Sequence, residues 1–127
     1  MAIITDFMKD RLIKHLLGRE ILPPVTEVKL ALYASADGLQ TDTPAGELTD
    51  VNYERHLVLF NELGISDPFH FNGFATEVTV THQALVGQID GEDRILIAVP
   101  FETPLTPLIG QPIWYETGRI TMELTTQ

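Results

Sequence analysis

One helix-period segment, a proline pair and then strand-period segments almost to the end of the chain follow one another, and that order limits what the chain can fold into. Phe7, Met8, Leu12, Ile13, Leu16 and Leu17 recur at helical spacing, with Lys9, Asp10, Arg11 and Lys14 on the other side. Thr5 or Asp6 supplies a capping oxygen for the free N–H groups of the first turn. Gly18 is the expected stop, and Arg11, Lys14 and His15 suit the negative end of the helix dipole. A helix of about three turns is marginal alone and must dock on something. Its own sheet is the expected support, with a neighbouring subunit as the alternative.

After Pro23-Pro24, alternation replaces helical spacing. Val28, Leu30 and Leu32 against Lys29, Ala31 and Tyr33 predict a half-buried strand. Residues 36–50, rich in Gly, Thr, Asp and Pro, predict a long loop. Residues 53–60 predict a central strand, 61–73 a second loop and 74–81 another strand. Apolar runs at 85–89 and 94–99 flank Asp90-Gly91, a hairpin signal because glycine accepts the positive φ of a tight turn. Pro100, Pro104, Pro107 and Pro112 lack an N–H donor and predict an extended stretch with little ladder pairing. Ile113-Trp114-Tyr115 predicts a short strand, and Ile120, Met122 and Leu124 a last one. The expected fold is mainly β, an antiparallel β-sandwich of six or seven short strands with one N-terminal α-helix. It is expected to form one domain over 1–127, with the helix and Pro-Pro connection in 1–24 and the sandwich in 25–127.

Composition closes off several function classes. With 127 residues and 44% hydrophobic residues, the chain can bury a core without disulfide or metal. Cysteine is absent, which excludes a disulfide scaffold, a thiolate metal site and a cysteine nucleophile. Eighteen acids against eight basic residues, a net charge of −10, repel phosphate and argue against nucleic-acid binding. No run approaches the roughly 20 apolar residues of a membrane span. The opening Met1-Ala2-Ile3-Ile4-Thr5-Asp6 lacks the basic region of a signal peptide, so the chain is expected to be made and kept in the cytoplasm, or assembled there.

No chemical motif rises above this background. His15, His56, His70 and His82 form no local zinc pair, although His56 and His82 could meet across strands; ordinary strand histidines are the default. Asp37, Asp42, Glu47 and Asp50 crowd one loop and Asp90, Glu92 and Asp93 the hairpin, without calcium-loop spacing. Two carboxylates could converge as in a glycosidase, but with eighteen acids chance pairs are common. There is no G-x-S-x-G and no P-loop. Among aromatics, Trp114 and Phe74 are expected in the core, and Phe69 and Phe71 to be partly exposed in a loop.

The chain also resembles a family of small tailed-phage virion proteins, often labelled tail fibre or minor structural proteins. The similarity rests on the helix Asp10-Arg11-Leu12-Ile13-Lys14-His15-Leu16-Leu17-Gly18 and the strand Val28-Lys29-Leu30-Ala31-Leu32-Tyr33. It continues through Gly46-Glu47-Leu48, Tyr53-Glu54-Arg55 and Thr103-Pro104-Leu105-Thr106. A Gly-rich run usual before the tyrosine is replaced here by Thr49-Asp50-Val51-Asn52, and residues 61–73 look individual. The resemblance implies a non-enzymatic virion structural protein without cofactor, catalytic residue or metal. The favoured position is an accessory protein that decorates or cements the head, with a tail or fibre-base component as the alternative.

Its expected partners are copies of itself, a trimer among the options, and other virion proteins such as the major capsid protein or tail proteins. Neither nucleic acid nor membrane is expected. Candidate interface residues are Phe7, Met8, Leu12, Leu16, Leu39, Leu48, Phe69 and Phe71. A rival of another class is a glycan- or cation-binding β module that uses Phe69, Phe71 and the acidic loops.

Overall fold

The computed structural model describes residues 3–120. In chain order its elements are β1 (Ile3–Ile4), α1 (Asp6–Leu16), β2 (Thr26–Tyr33), β3 (His56–Leu57), β4 (Phe69–Phe71), β5 (Val80–Ile89), β6 (Glu92–Leu105) and β7 (Ile113–Tyr115). All pairings are antiparallel: a five-stranded sheet in the order β1-β6-β5-β2-β3 and a two-stranded ribbon, β4-β7. The fold is the expected mainly-β sandwich with an N-terminal helix, with unequal layers.

The period of two in β2 divides its side chains between two cores. Leu30 and Leu32 face the ribbon and pack with Phe69, Phe71, Tyr115, Phe74 and Val80. Ala31 and Tyr33 face the other way and pack with Leu39, Ala84, Val86, Ile95 and Ala98. The ribbon covers the first face. The loop after β2, through Leu39, helps cover the second.

A bulge links this sheet to the helix. Leu85 opposes Ile97 while Val86 opposes Ile95, so Leu96 is an extra residue in β6. The phase of the strand therefore flips: Ile95 joins the Tyr33 core and Ile97 packs on the ribbon side. Carbonyls at this irregularity hold the helix start. Thr5 N–H donates to Leu96 O at 3.4 Å, and the Thr5 hydroxyl donates to Ile95 O at 2.7 Å. Thr5 Oγ1 also accepts from Met8 N–H at 3.3 Å, so Thr5 caps α1 while fully buried. The helix ends as expected, with Gly18 at φ 70° and its N–H on His15 O.

The β5–β6 hairpin matches its sequence signal. Asp90 and Gly91 have φ of 55° and 79° between the paired Ile89 and Glu92, the mirror-image turn that suits strand twist. Other expectations need correction. Of residues 53–60 only His56–Leu57 is strand, and it is an edge rather than a central strand. Residues 74–79 are not strand; β5 begins at Val80. Phe69–Phe71 is strand β4 rather than loop. Pro100 and Pro104 lie inside β6. Strand β1 covers only Ile97 and Ala98 there, so a missing N–H beyond Ala98 breaks no bond on that side. The predicted last strand lies outside the described residues except for its start, where Ile120 packs on the ribbon-side core.

Candidate functional site

The carboxylates of the two acidic loops are largely engaged with the protein's own donors. Glu47, bridged through its backbone to the end of β2 at Tyr33, faces Arg55 in a two-point pair: Nε to Oε2 at 2.8 Å and a terminal nitrogen to Oε1 at 2.9 Å. The Tyr53 hydroxyl donates to Glu47 Oε2 at 2.7 Å and accepts from Leu32 N–H at 3.1 Å. Burial alone would raise the Glu47 pKa, but the hydrogen bonds from Arg55 and Tyr53 outweigh it and hold the carboxyl below its ordinary value. Burial pushes the Tyr53 hydroxyl the other way, upward, so it stays protonated and donating. Gly46 leaves room beside this lock: a Cβ there would crowd the Ser35 hydroxyl and backbone N, so Ser35 would have to shift. The Gly46-Glu47 and Tyr53/Arg55 motifs thus tie the long loop to β2 and to the start of β3.

Asp50 makes a second clamp. It accepts from the N–H groups of Asn52, Ala75 and Thr76 and from the Thr76 hydroxyl, at 2.7 to 3.0 Å. These donors, the Ala75 N–H foremost, lower its pKa to about 2. Asp42 accepts from Ile95 N–H at 3.0 Å and pairs with Arg94 at 3.3 Å. In the hairpin, Asp90 pairs with Arg11, Glu92 with Arg94 and Asp93 with Arg55. Among the described residues no group of three or more His, Asp or Glu could hold a metal ion. His56 lies on β3 and His82 on β5, with β2 between them, so these two do not meet.

The aromatics sort by strand parity. Phe69, Phe71 and Tyr115 face inward, and the rings of Phe69 and Tyr115 stack at 4.7 Å. Trp114, between two inward residues of β7, points out: it is 64% exposed and its ring stacks on His70 of β4 at 4.4 Å. Phe74 is core as expected; Trp114 is not. Of the candidate interface residues, Leu39, Leu48, Phe69 and Phe71 are buried in this chain's own core and present no surface. Tyr33 is buried too, with a hydroxyl that lacks a hydrogen-bond partner among the described residues.

The helix residues divide. Phe7 lies between two guanidinium groups, Arg94 at 4.4 Å and Arg11 at 5.3 Å from its centroid, and Met8 is buried. Thr5, fixed on β6, turns this side inward. The stripe through Leu12, Ile13, Leu16 and Leu17 is consequently turned outward. Ile13, Leu16 and Leu17 are 56%, 81% and 68% exposed, and Ile21 beyond them is exposed as well. Helical spacing makes this stripe visible in sequence but does not say which stripe docks; the deciding contacts, Thr5 on the β6 bulge and Arg94 over Phe7, are about 90 residues away.

Among the described residues no helix is long and apolar enough to cross a membrane. No protein-family model matches the chain, and no curated protein matches it either.

Proposed function

We propose that this chain is a non-enzymatic structural protein of a tailed-phage virion, an accessory protein that decorates or cements the head through subunit contacts. The observation that carries the reading is the outward apolar face of α1. Ile13, Leu16 and Leu17 lie side by side on a helix already docked through its opposite side, a surface suited to a protein partner. The internal engagement of Glu47, Asp50 and Asp42 supports it further, because these carboxylates serve loop geometry. The test is co-sedimentation of the purified chain with tailed-phage particles that lack it. Binding that saturates, and that weakens in Leu16→Asp as subunit contacts are lost, supports the reading; no binding counts against it. A tail or fibre-base position is the variant in which binding is to tails and not to heads.

A second reading has one observation in its favour. The exposed Trp114 ring, braced on His70, is a flat apolar platform of the kind on which a sugar ring stacks. A glycan array probed with wild type and Trp114→Ala tests it: signals that vanish in the variant favour a glycan-binding module, and a blank array removes it.

A further inference from the structure

Charge is unevenly placed along this acidic chain. Residues 6–20, the helix and its C-terminal turn, hold Lys9, Arg11, Lys14 and Arg19, four of the eight basic residues, but only three of the eighteen acids. The apolar stripe of α1 therefore sits in a segment of net charge +1, in which Arg11 and Lys14 are paired with Asp10, Glu20 and Asp90, and Lys9 and Arg19 join no ion pair among the described residues. Its counterpart lies at the other side of the sheet. Strand β1, which leads into α1, is one edge of the five-stranded sheet, and β3 is the other. At and just after β3, Leu57, Leu59 and Leu63 are exposed, the last two by 58% and 77%. Exposed carboxylates accompany them at Glu54, Glu62 and Asp67. One edge is thus apolar with Lys9 and Arg19 as its uncompensated charges, and the other is apolar and flanked by Glu54, Glu62 and Asp67, with Lys29 across from Leu57.

We propose that two copies of this chain join head to tail, the α1 stripe of one docking on the β3 edge of the next. The inference rests on the structural reading above and names the partner for its carrying surface. Two different patches meet, so the contact is heterologous: it leaves a free helix at one end and a free edge at the other, and closes into a ring or extends into a filament. Opposite charges in the two patches steer the encounter against the repulsion expected between copies that each carry −10. A symmetric pairing of two helices would bring the basic segments together and leave the β3 edge uncovered.

The test is sedimentation of the full chain over a concentration series up to about 1 mM, a range that detects even weak pairing. Wild type is expected to self-associate, less so as salt rises. Ile13→Asp and Leu59→Asp are each expected to be monomeric alone. Mixed in equal amounts they should form a dimer and nothing larger, because one retains an intact edge and the other an intact helix. Lys9→Glu and Glu62→Lys should each weaken association by roughly three- to tenfold. If either Asp variant fails to fold, Leu16→Lys and Leu63→Lys carry the same mixing test. A Leu59→Asp protein that associates as well as wild type, a mixture that stays monomeric, or a monomeric wild type would each overturn the head-to-tail contact. Particle binding separates the two claims: a monomer that still binds particles sinks this contact alone, whereas an oligomer that binds none sinks the virion reading.

Discussion

Glu47 accepts from Arg55 at both oxygens and from Tyr53 as well, while the same tyrosine satisfies the Leu32 N–H of β2. Removing one member leaves the others half-buried and short of a partner, which costs more than the bond itself was worth. Arg55→Ala is expected to destabilise the fold by about 1–3 kcal/mol in urea unfolding. Glu20→Ala, which breaks longer and more exposed pairs with Arg11 and Lys14, should change stability by less than about 0.5 kcal/mol. Equal small effects would contradict a structural role for the motif.

Asp50 makes a pH prediction. Its pKa is about 2 in the folded chain against an ordinary value of 3.8, so the unfolded state binds the proton first and stability rises with pH. The clamp's electrostatic contribution is fully present above about pH 4 and is lost as pH falls through about 2. The stability gap between wild type and Asp50→Asn should therefore narrow over that window. A gap constant from pH 5 to 2 would mean that the carboxylate charge is not what holds Ala75 and Thr76.

Elements whose signals were local were legible in the sequence. The helix boundaries follow from Thr5 and Gly18, the hairpin from Asp90-Gly91, and β2 from its alternation. Thr5→Ala removes both the cap and a buried bond to Ile95 O, and is expected to cost about 1–2 kcal/mol with loss of exchange protection in the first turn of α1. Protection unchanged there would mean that Phe7 and Met8 hold the helix without its cap.

Segments decided by distant partners were not legible. Residues 74–81 alternate like a strand, yet Asp50 takes the N–H groups of Ala75 and Thr76 that a ladder would use. Residues 53–60 shrink to a two-residue edge because Tyr53 and Arg55 are turned to Glu47. The ribbon reads out a period of two over only three residues, too short to show whether Trp114 or its neighbours face inward. Trp114→Ala should accordingly shift stability by under about 1 kcal/mol, whereas Phe74→Ala, at a site 2% exposed, should cost about 3–5 kcal/mol. A large loss at Trp114 would contradict its outward placement.

On the scale of the whole molecule, the sandwich class was readable because apolar alternation recurs along the chain, but the surface was not. Five of the eight candidate interface residues, Met8, Leu39, Leu48, Phe69 and Phe71, belong to the interior, while the helix stripe with Leu12 and Leu16 stands outside. Sequence identifies apolar residues; which of them face outward is fixed by which surface the fold fills first. The result is an acidic body with an apolar helix of slight positive charge at one edge of its sheet and, at the other, a short strand followed by exposed leucines and flanked by acids. Contact with other protein surfaces is the use proposed for these two edges, and particle assembly is its proposed setting. Quantitative mass spectrometry of purified tailed-phage particles, assembled in cells that make this chain, tests that claim most directly. The chain is expected in intact particles at a fixed whole-number ratio to a major capsid or tail protein; complete particles that contain none of it, with the chain left in the soluble fraction, would overturn the proposal.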